Sequence, residues 1–230
     1  MDANSPHGFP FAIVGFDLDG TLLDTSGDLT AAVNHALTTI GRAPLSVEAV
    51  KPMIGGGARA MLQHGLDATG GYDADTLDRL HRLLLDYYEA NLAVHTAPFP
   101  GAIEALDELA ARGVTLGIMT NKLERFARAI LDSLGLTERF ASIIGGDTLG
   151  VSKPSPRPIQ ALVEQCGGGP AAFVGDSIFD VQAARAAGLP VIACSFGFLS
   201  LPVEALGADA IIDGYADLIP ALTRLSLSAT

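Results

Sequence analysis

Short, almost wholly apolar runs constrain the fold of this chain more than any other feature of its sequence. Six such runs occur, at residues 11–16, 115–119, 142–144, 171–174, 191–194 and 210–212. A run without polar residues in alternate positions is typical of a parallel strand buried on both faces. Helical spacing lies between the runs, as where Ile103, Leu106 and Leu109 precede Gly113. Strands that alternate with helices predict an α/β fold with a doubly wound parallel sheet.

The segment that follows the first run breaks this alternation. It contains three apolar stripes at helical spacing and no convincing strand, and the stripes begin at Leu29, Met61 and Leu77. An insertion into the sheet domain is the simplest explanation. We therefore predict an all-helical domain at residues 24–96, inserted into a sheet domain whose two parts are residues 1–23 and 97–230.

Charge and hydropathy exclude several classes of partner. The chain has 14 basic and 26 acidic residues, a net charge of -12, which disfavours binding to nucleic-acid phosphates. No charge-free apolar run reaches the roughly 18 residues that a membrane-spanning helix needs. Residues 1–10 lack the basic flank and long apolar stretch of a secretory signal. Cys166 and Cys194 match no metal-ligand spacing and are predicted to be buried thiols, so we expect a cytoplasmic protein with no nucleic-acid or membrane partner.

Four polar clusters follow predicted strands. They are FDLDGT at residues 16–21, TNK at 120–122, SKPSP at 152–156 and VGDSIFD at 174–180. Taken singly, each has an ordinary explanation as a helix cap, a turn or a surface lysine. Together they lie where ligands bind in open parallel sheets, at the carboxyl ends of the strands.

The first two clusters carry suitable groups for phosphate chemistry. Asp17 and Asp19 are separated by one residue, so an extended backbone directs both side chains to one face. Thr120 and Asn121 stand at a predicted helix N-terminus, where hydroxyl, amide and backbone N–H groups bind anions.

Electrostatics predicts the cofactor. The first and fourth clusters contain two aspartates each, and these four carboxylates would repel a bound phosphate. The repulsion is about 4 kcal/mol for each pair of unit charges at 4 Å and an effective dielectric constant of 20. Such a site needs a hard cation and a lysine to offset the repulsion, and Lys153 is a suitable lysine. Ligands that are all oxygen favour Mg²⁺ over zinc.

In chain order, the four motifs resemble those of the haloacid dehalogenase-like superfamily of phosphotransferases, and the helical insert resembles its cap domain. The resemblance implies that Asp17 is the nucleophile, which forms an aspartyl-phosphate. Asp19 would protonate the leaving alcohol and then activate water. Thr120 and Asn121 would hold phosphoryl oxygens, and Lys153 would balance the charge of the nucleophile and the phosphate.

The same resemblance implies a metal site. Asp176 would bind Mg²⁺ together with the Asp17 carboxylate and the backbone carbonyl of Asp19. Asp180 would act from behind these ligands and steady Lys153 or metal-bound water.

Longer segments resemble the phosphoglycolate phosphatases within this superfamily. They are DLDGTLLDT, IGGGARAM, VTLGIMTNK, IIGGDTLGVSKPSPRP and FVGDSIFDVQAARAAG. The resemblance implies hydrolysis of 2-phosphoglycolate to glycolate and phosphate. Arg59 would then pair with the carboxylate of the substrate, although a solvated helix arginine explains it equally well.

Other functions stay open from the sequence. A phosphatase for another small sugar phosphate or a pyrophosphate fits the same motifs, as does a β-phosphoglucomutase-like phosphotransferase. A non-catalytic binding protein is disfavoured because every expected catalytic position is occupied. The expected partner is a small phosphorylated metabolite, and the chain is expected to be a monomer or a homodimer.

Overall fold

The computed structural model describes residues 9–227, so expectations for residues 1–8 and 228–230, including most of the segment tested for a signal, lie outside the described residues. The strands are Ile13–Phe16 (β1), Leu23–Asp24 (β2), Ala97–Pro98 (β3), Thr115–Met119 (β4), Ser142–Ile144 (β5), Ala171–Gly175 (β6), Val191–Cys194 (β7) and Ala210–Ile212 (β8). Within residues 9–227, six of them form a parallel sheet in the order β5-β4-β1-β6-β7-β8. All six apolar runs are therefore strands of one parallel sheet, as predicted.

Helices cover both faces of this sheet, and further helices form the inserted segment. They are Ser26–Thr38 (α1), Val47–Val50 (α2), Ala58–Ala68 (α3), Ala74–Ala90 (α4), Ala102–Ala111 (α5), Glu124–Ser133 (α6), Arg157–Gln165 (α7), Ile178–Ala186 (α8) and Leu218–Leu227 (α9). Apolar residues of α7 and α8 pack on one face, and those of α5, α6 and α9 pack on the other. The doubly wound architecture is thereby confirmed.

Two paired glycines allow one helix to approach the centre of the sheet. Gly15 of β1 lies opposite Gly117 of β4. A Cβ atom at either position would lie 2.8 Å from the side chain of Leu162 on α7. Because buried side chains pack as densely as organic crystals, that space is available only to a residue without a side chain.

The inserted segment is helical, as the apolar stripes predict. Residues 25–96, all of them described, form α1 to α4 and contain no strand. Leu37 of α1, Leu66 of α3 and Leu84 of α4 are buried in its interior. We refer to this segment as the cap.

The two connections between cap and sheet domain lie side by side. Leu23 pairs with Pro98 in the antiparallel β2–β3 ribbon, beside the proposed domain boundaries at residues 24 and 96. The buried carboxylate of Asp28, in the first turn of α1, accepts hydrogen bonds from the backbone N–H groups of His95 and Thr96 and from the Thr96 hydroxyl. These bonds tie the start of the cap to its end.

Two further observations bear on the sequence-based expectations. Both cysteines are free thiols. Cys194 is buried, as predicted, whereas Cys166 is only half-buried and differs from the prediction. None of the helices in the described part of the chain is long and apolar enough to cross a membrane.

Candidate active site

Three neighbouring strands bring the motifs together at one edge of the sheet. In the register of the sheet, Phe16 at the end of β1 pairs with Ile118 of β4 and with Val174 of β6, each one residue before the end of its strand. Asp17, Thr120 and Asp176 each follow directly after one of these strands. The backbone N–H of Asp17 still donates to Val174 O, at 2.9 Å, so the sheet fixes the position of this residue.

Four charged residues form what we call the floor cluster: Asp17, Lys153, Asp176 and Asp180. One carboxylate oxygen from each of the three aspartates lies within 4.8 Å of the other two. Lys153 Nζ lies 2.9 Å from Asp17 Oδ1 and 2.5 Å from Asp180 Oδ1. It also donates to the backbone oxygen of Met119 at 3.0 Å. The Lys153 side chain is 1% exposed, so the cluster is shielded from water.

Asp180 is held by the start of its own helix. Its Oδ2 atom accepts hydrogen bonds from the backbone N–H groups of Asp176 and Ser177 and from the Ser177 hydroxyl. These contacts form a capping box at the N-terminus of α8. A Cβ atom on Gly175 would lie 2.4 Å from this side chain. The aspartate thus serves as a helix cap and also presents its other oxygen to Lys153.

Asp176 lies in a close-fitting backbone cradle. Oδ1 accepts a hydrogen bond from the Thr21 hydroxyl at 3.0 Å, and Oδ2 accepts one from the backbone N–H of Phe198 at 2.6 Å. A Cβ atom on Gly20 or on Gly197 would come within 2.2 Å of this side chain. Both loops can approach the carboxylate only because those positions are glycine.

Burial and mutual repulsion change the acidity of the cluster. Burial raises the pKa of Asp17 to about 6, with contributions from the charges of Asp180 and Asp19, although Lys153 opposes the shift. Burial and the same carboxylate repulsion raise the pKa of Asp176 well above its usual value. Three carboxylates therefore share one ammonium group, and the ionised cluster carries an excess of negative charge.

The floor cluster fits a hard divalent cation. Its donor atoms are oxygens, which suit Mg²⁺ rather than zinc. Asp17 Oδ1 is buried and accepts no hydrogen bond from residues 9–227, since the nearby Lys153 ammonium approaches it as an ion pair without hydrogen-bond geometry. A cation near this oxygen would offset both the unsatisfied acceptor and the excess charge.

Asp19 faces the other way, towards the cap. Its Oδ1 atom accepts a hydrogen bond from the Thr25 hydroxyl at 2.7 Å, and its Oδ2 atom lies 2.9 Å from Lys122 Nζ. Lys122 in turn donates to the hydroxyl oxygen of Tyr88, on cap helix α4, at 2.9 Å. We call Asp19, Lys122 and Tyr88 the cap-facing chain.

The charge states within the cap-facing chain follow from its burial. Burial acts to lower the pKa of the Lys122 ammonium, but the adjacent Asp19 and Tyr88 outweigh it and raise that pKa. Burial raises the pKa of Tyr88 to about 12, so the phenol stays protonated near neutral pH. Lys122 is therefore a cation that forms an ion pair with Asp19 and donates a hydrogen bond to Tyr88.

Sequence reasoning gave no role to Lys122, Tyr88 or Thr25. Lys122 lies inside the TNK motif, and its scarcity as one of three lysines was the only available signal. Tyr88 looks like any apolar-stripe residue of a cap helix, and nothing local connects it with a residue 34 positions away.

Thr120 and Asn121 are both placed beside the floor cluster, but the Asn121 side chain has other contacts. Its Nδ2 donates to Gly55 O and to Lys153 O, and its Oδ1 accepts from the backbone N–H of Lys153. The amide thus braces the Lys153 loop against the cap. Thr120 is buried, and its hydroxyl accepts a hydrogen bond from the backbone N–H of Lys122 at 3.2 Å.

A cavity of about 250 Å³ lies between these groups and the cap. Asp17 and Asp19 line one side, and mostly apolar cap residues such as Leu84 line the other. Arg59 lies on the cavity wall at the start of α3, but its guanidinium is half exposed and paired with Asp78 at 2.6 Å. Its contact with a substrate stays a prediction.

Comparisons with known proteins agree on the kind of enzyme. Residues 14–194 match the family model of the haloacid dehalogenase-like hydrolases. A phosphoglycolate phosphatase from Agrobacterium fabrum is 42% identical over 217 residues, which cover 93% of this chain and 92% of that protein. A phosphoglycolate phosphatase from Rhodospirillum rubrum is 44% identical, and the match covers 91% of this chain and 89% of that protein.

Comparison with solved structures finds the same kind of protein. The crystal structure of a predicted phosphoglycolate phosphatase from Haemophilus somnus superposes with a TM-score of 0.86 at 32% sequence identity. The superposition covers 93% of this chain and 98% of that one, so the helical cap and the sheet domain are both included.

Proposed function

This chain belongs to the haloacid dehalogenase-like hydrolase family and is a phosphomonoester hydrolase; we propose that its substrate is 2-phosphoglycolate. We also propose that it acts through an aspartyl-phosphate on Asp17, and the observation that carries this mechanism is the placement of two aspartates from one motif in different surroundings. Asp17 lies in the floor cluster beside Lys153, whereas Asp19 faces the cavity beside Lys122. Two carboxylates in different environments can take the separate roles of nucleophile and acid–base catalyst.

In the first step, a carboxylate oxygen of Asp17 attacks phosphorus while the bond from phosphorus to the ester oxygen breaks. Asp19 delivers its proton to that departing oxygen, and glycolate leaves as the free alcohol. In the second step, Asp19 takes a proton from water as the water oxygen attacks phosphorus. The bond from phosphorus to Asp17 then breaks, which releases inorganic phosphate and restores both aspartates.

Mg²⁺ is the proposed cofactor, because the family is generally dependent on it and the buried acidic cluster suits it. Its ligands would be the carboxylates of Asp17 and Asp176 and the backbone carbonyl of Asp19. When bound, it would supply charge neutralisation and polarisation of a phosphoryl oxygen. Asp180 would act through Lys153. Its carboxylate lies 2.5 Å from the Lys153 ammonium and would hold that group in position by an ion pair.

The remaining predicted residues have positioning and binding roles in this proposal. Lys153 neutralises Asp17 and would contact the bound phosphoryl group. Thr120 would donate its hydroxyl to a phosphoryl oxygen. Asn121 would contact a phosphoryl oxygen through its backbone N–H. Its side-chain amide is not free for this contact, because its nitrogen binds Gly55 and its oxygen binds the Lys153 loop.

The small cavity and the relatives support the choice of substrate. A cavity of about 250 Å³ suits a small phosphorylated metabolite better than a nucleic acid. The relatives named above are phosphoglycolate phosphatases that this chain matches over most of their lengths. Arg59 would bind the carboxylate after exchanging its partner Asp78. We further propose a cytoplasmic enzyme, active as a monomer or homodimer, with its domain boundaries at residues 24 and 96.

The test is kcat/KM over a panel of phosphate esters with Mg²⁺: 2-phosphoglycolate, hexose and pentose phosphates, β-glucose 1-phosphate, nucleoside monophosphates and pyrophosphate. We expect a preference of at least about tenfold for 2-phosphoglycolate. Asp17→Asn should lower activity by at least about 10³-fold, and EDTA should abolish it reversibly. A sugar-phosphate preference with both controls intact would refute the substrate, and full activity of Asp17→Asn would refute the mechanism.

A further inference from the structure

We infer that Lys122 is a positioning residue for Asp19, and that Tyr88 makes this positioning depend on the docked cap. The inference rests on the proposed role of Asp19 as the acid for the leaving group. It assigns a function to two residues that the motifs alone leave without one.

The contacts form an unbroken chain from the cap to the catalytic carboxylate. Tyr88 lies on α4 of the cap, Lys122 follows β4, and Asp19 follows β1. The ammonium lies 2.9 Å from Asp19 Oδ2 and 2.9 Å from the Tyr88 hydroxyl oxygen. The Lys122 side chain is 4% exposed, so these two partners supply most of the interactions of its ammonium group. Phe126 packs edge-on against the Tyr88 ring at 5.5 Å and restricts its movement.

The backbone of Lys122 is also held, so its side chain has a fixed origin. Its N–H donates to the Thr120 hydroxyl, and its carbonyl accepts from the N–H of Gly146 at 2.8 Å. With the backbone fixed at one end and Tyr88 binding the ammonium at the other, the side chain has little rotational freedom. A cation held in this way limits where Asp19 Oδ2 can lie.

Both oxygens of Asp19 depend on cap elements. Oδ1 is held by Thr25, the residue that precedes helix α1, and Oδ2 is held through Lys122 by Tyr88. Lys153 of the floor cluster does not depend on the cap in this way, because its partners Asp17 and Asp180 both come from the sheet domain. Displacement of the cap would therefore disturb the acid and leave the nucleophile in place.

A buried charged residue that served packing alone would be a costly choice. Removing a lysine from water is unfavourable unless its partners restore the lost interactions. Here the partners are one catalytic carboxylate and one phenol, and all three groups line the substrate cavity. The position of the pair therefore points to the reaction rather than to the stability of the fold.

The experiment compares two aryl esters of nearly the same shape, phenyl phosphate and 4-nitrophenyl phosphate, together with 2-phosphoglycolate. The nitrophenolate group leaves readily without a proton, whereas phenolate and the glycolate alkoxide need one. Because kcat/KM reports formation of the aspartyl-phosphate, a residue that positions the acid should affect only esters with poor leaving groups.

We expect Lys122→Met to lower kcat/KM about 10²-fold for phenyl phosphate and 2-phosphoglycolate, the range of general acid catalysis. The loss for 4-nitrophenyl phosphate should stay under about threefold. Tyr88→Phe removes one hydroxyl and should show the same selectivity, with a loss of about fivefold. Lys122→Arg should restore part of the activity. Tyr87→Phe, on the same helix but stacked on His35, is the matched control and should leave every ester unchanged.

Two outcomes would overturn the inference. Equal losses for both aryl esters would show that Lys122 and Tyr88 only support the fold. If Lys122→Met does not fold, an unselective Tyr88→Phe would refute it by itself. Asp19→Asn separates the inference from its premise: it should show the strongest leaving-group selectivity. If Asp19→Asn loses more activity on esters with poor leaving groups but the Lys122 and Tyr88 variants do not, the inference is refuted and the mechanism stands. If Asp19→Asn loses activity equally on all esters, the proposed role of Asp19 is refuted and the inference falls with it.

Discussion

The two buried lysines of the site differ in what holds them. Lys153 contacts Asp17, Asp180 and a strand carbonyl, all contributed by the sheet domain. Lys122 contacts Asp19 from the same domain but needs Tyr88 of the cap as its second partner. The proposed nucleophile, Asp17, is thus held by contacts within the sheet domain, while the proposed acid, Asp19, also depends on contacts with the cap. A lid that completes only the protonation step can link substrate enclosure to bond cleavage.

The largest expected effect is the loss of the cation in the floor cluster. Lys153→Met leaves three buried carboxylates without their ammonium and should lower kcat/KM by about 10³-fold. It should also lower the free energy of unfolding at pH 7 by about 3–5 kcal/mol, the usual cost of breaking a buried ion pair. Steady-state kinetics and urea denaturation measure the two changes.

The third lysine of the chain supplies the control. Lys51 lies in the cap, half-buried, with its ammonium 6.0 Å from the Phe198 ring centroid, and it does not line the cavity. Lys51→Met should change activity less than about threefold. Similar losses in the two variants would mean that removal of any lysine, rather than the floor charge, is responsible.

The acidity of the floor cluster predicts how stability depends on pH in the metal-free protein. The pKa of Asp17 rises from 3.8 to about 6 on folding, so the native state binds more protons than the unfolded state between those values. The stabilising contribution is complete below pH 3.8 and is lost as the pH rises through about 6. The loss in free energy of unfolding is on the order of 3 kcal/mol at most.

Urea denaturation from about pH 4 to 7 without metal measures this decline, and Asp17→Asn should make it less steep, while Asp176, whose pKa is also raised, still contributes to it. Mg²⁺ should reverse it near neutral pH, because a ligand that binds only the native state stabilises that state. Stability that increases over this pH interval would contradict the raised pKa of Asp17.

A smaller effect is expected where the two cap connections meet. Asp28→Asn replaces an acceptor of three donors by an amide and should lower the free energy of unfolding by about 2 kcal/mol. The KM for 2-phosphoglycolate should increase, while the Mg²⁺ concentration for half-maximal activity should stay the same, because the floor cluster does not include Asp28. Asp86→Asn, at an exposed position of α4, is the control. A large shift in Mg²⁺ dependence would show that the floor also depends on the cap.

The smallest expected effect concerns the cavity wall. Arg59→Ala should increase the KM for 2-phosphoglycolate several-fold, since a guanidinium–carboxylate contact is worth about 1 kcal/mol or more. Stability should change by less than about 1 kcal/mol, because the pair with Asp78 is half exposed. Arg82→Ala, exposed on the neighbouring helix, should change neither quantity. An unchanged KM would remove Arg59 from the substrate site.

Much of the fold was predictable because its signals are local. The six strands of the sheet are almost wholly apolar runs, and five of them begin at the predicted residue. The helical cap follows from apolar spacing alone. The order of strands cannot be obtained in this way, because β1 pairs with β4 across 98 residues of intervening chain and with β6 across 154.

The candidate site likewise combines residues that local motifs predict with contacts that depend on distant segments. Asp17, Asp19, Lys153, Asp176 and Asp180 were predicted from motifs that lie at strand ends, and the structure brings them to one edge of the sheet. The occupied amide of Asn121 and the pairing of Arg59 with Asp78 were not predictable, since both partners come from distant segments.

The sequence by itself determined the strands, the helical insert and the chemical groups that the sheet edge would carry. Only the tertiary structure decided that Lys122 pairs with Asp19, and that Tyr88 of the cap contacts this lysine. The physical reason is that the apolar pattern of a strand or helix is set by residues close in sequence, whereas a buried ion pair exists only where packed elements from distant segments exclude water and bring opposite charges into contact.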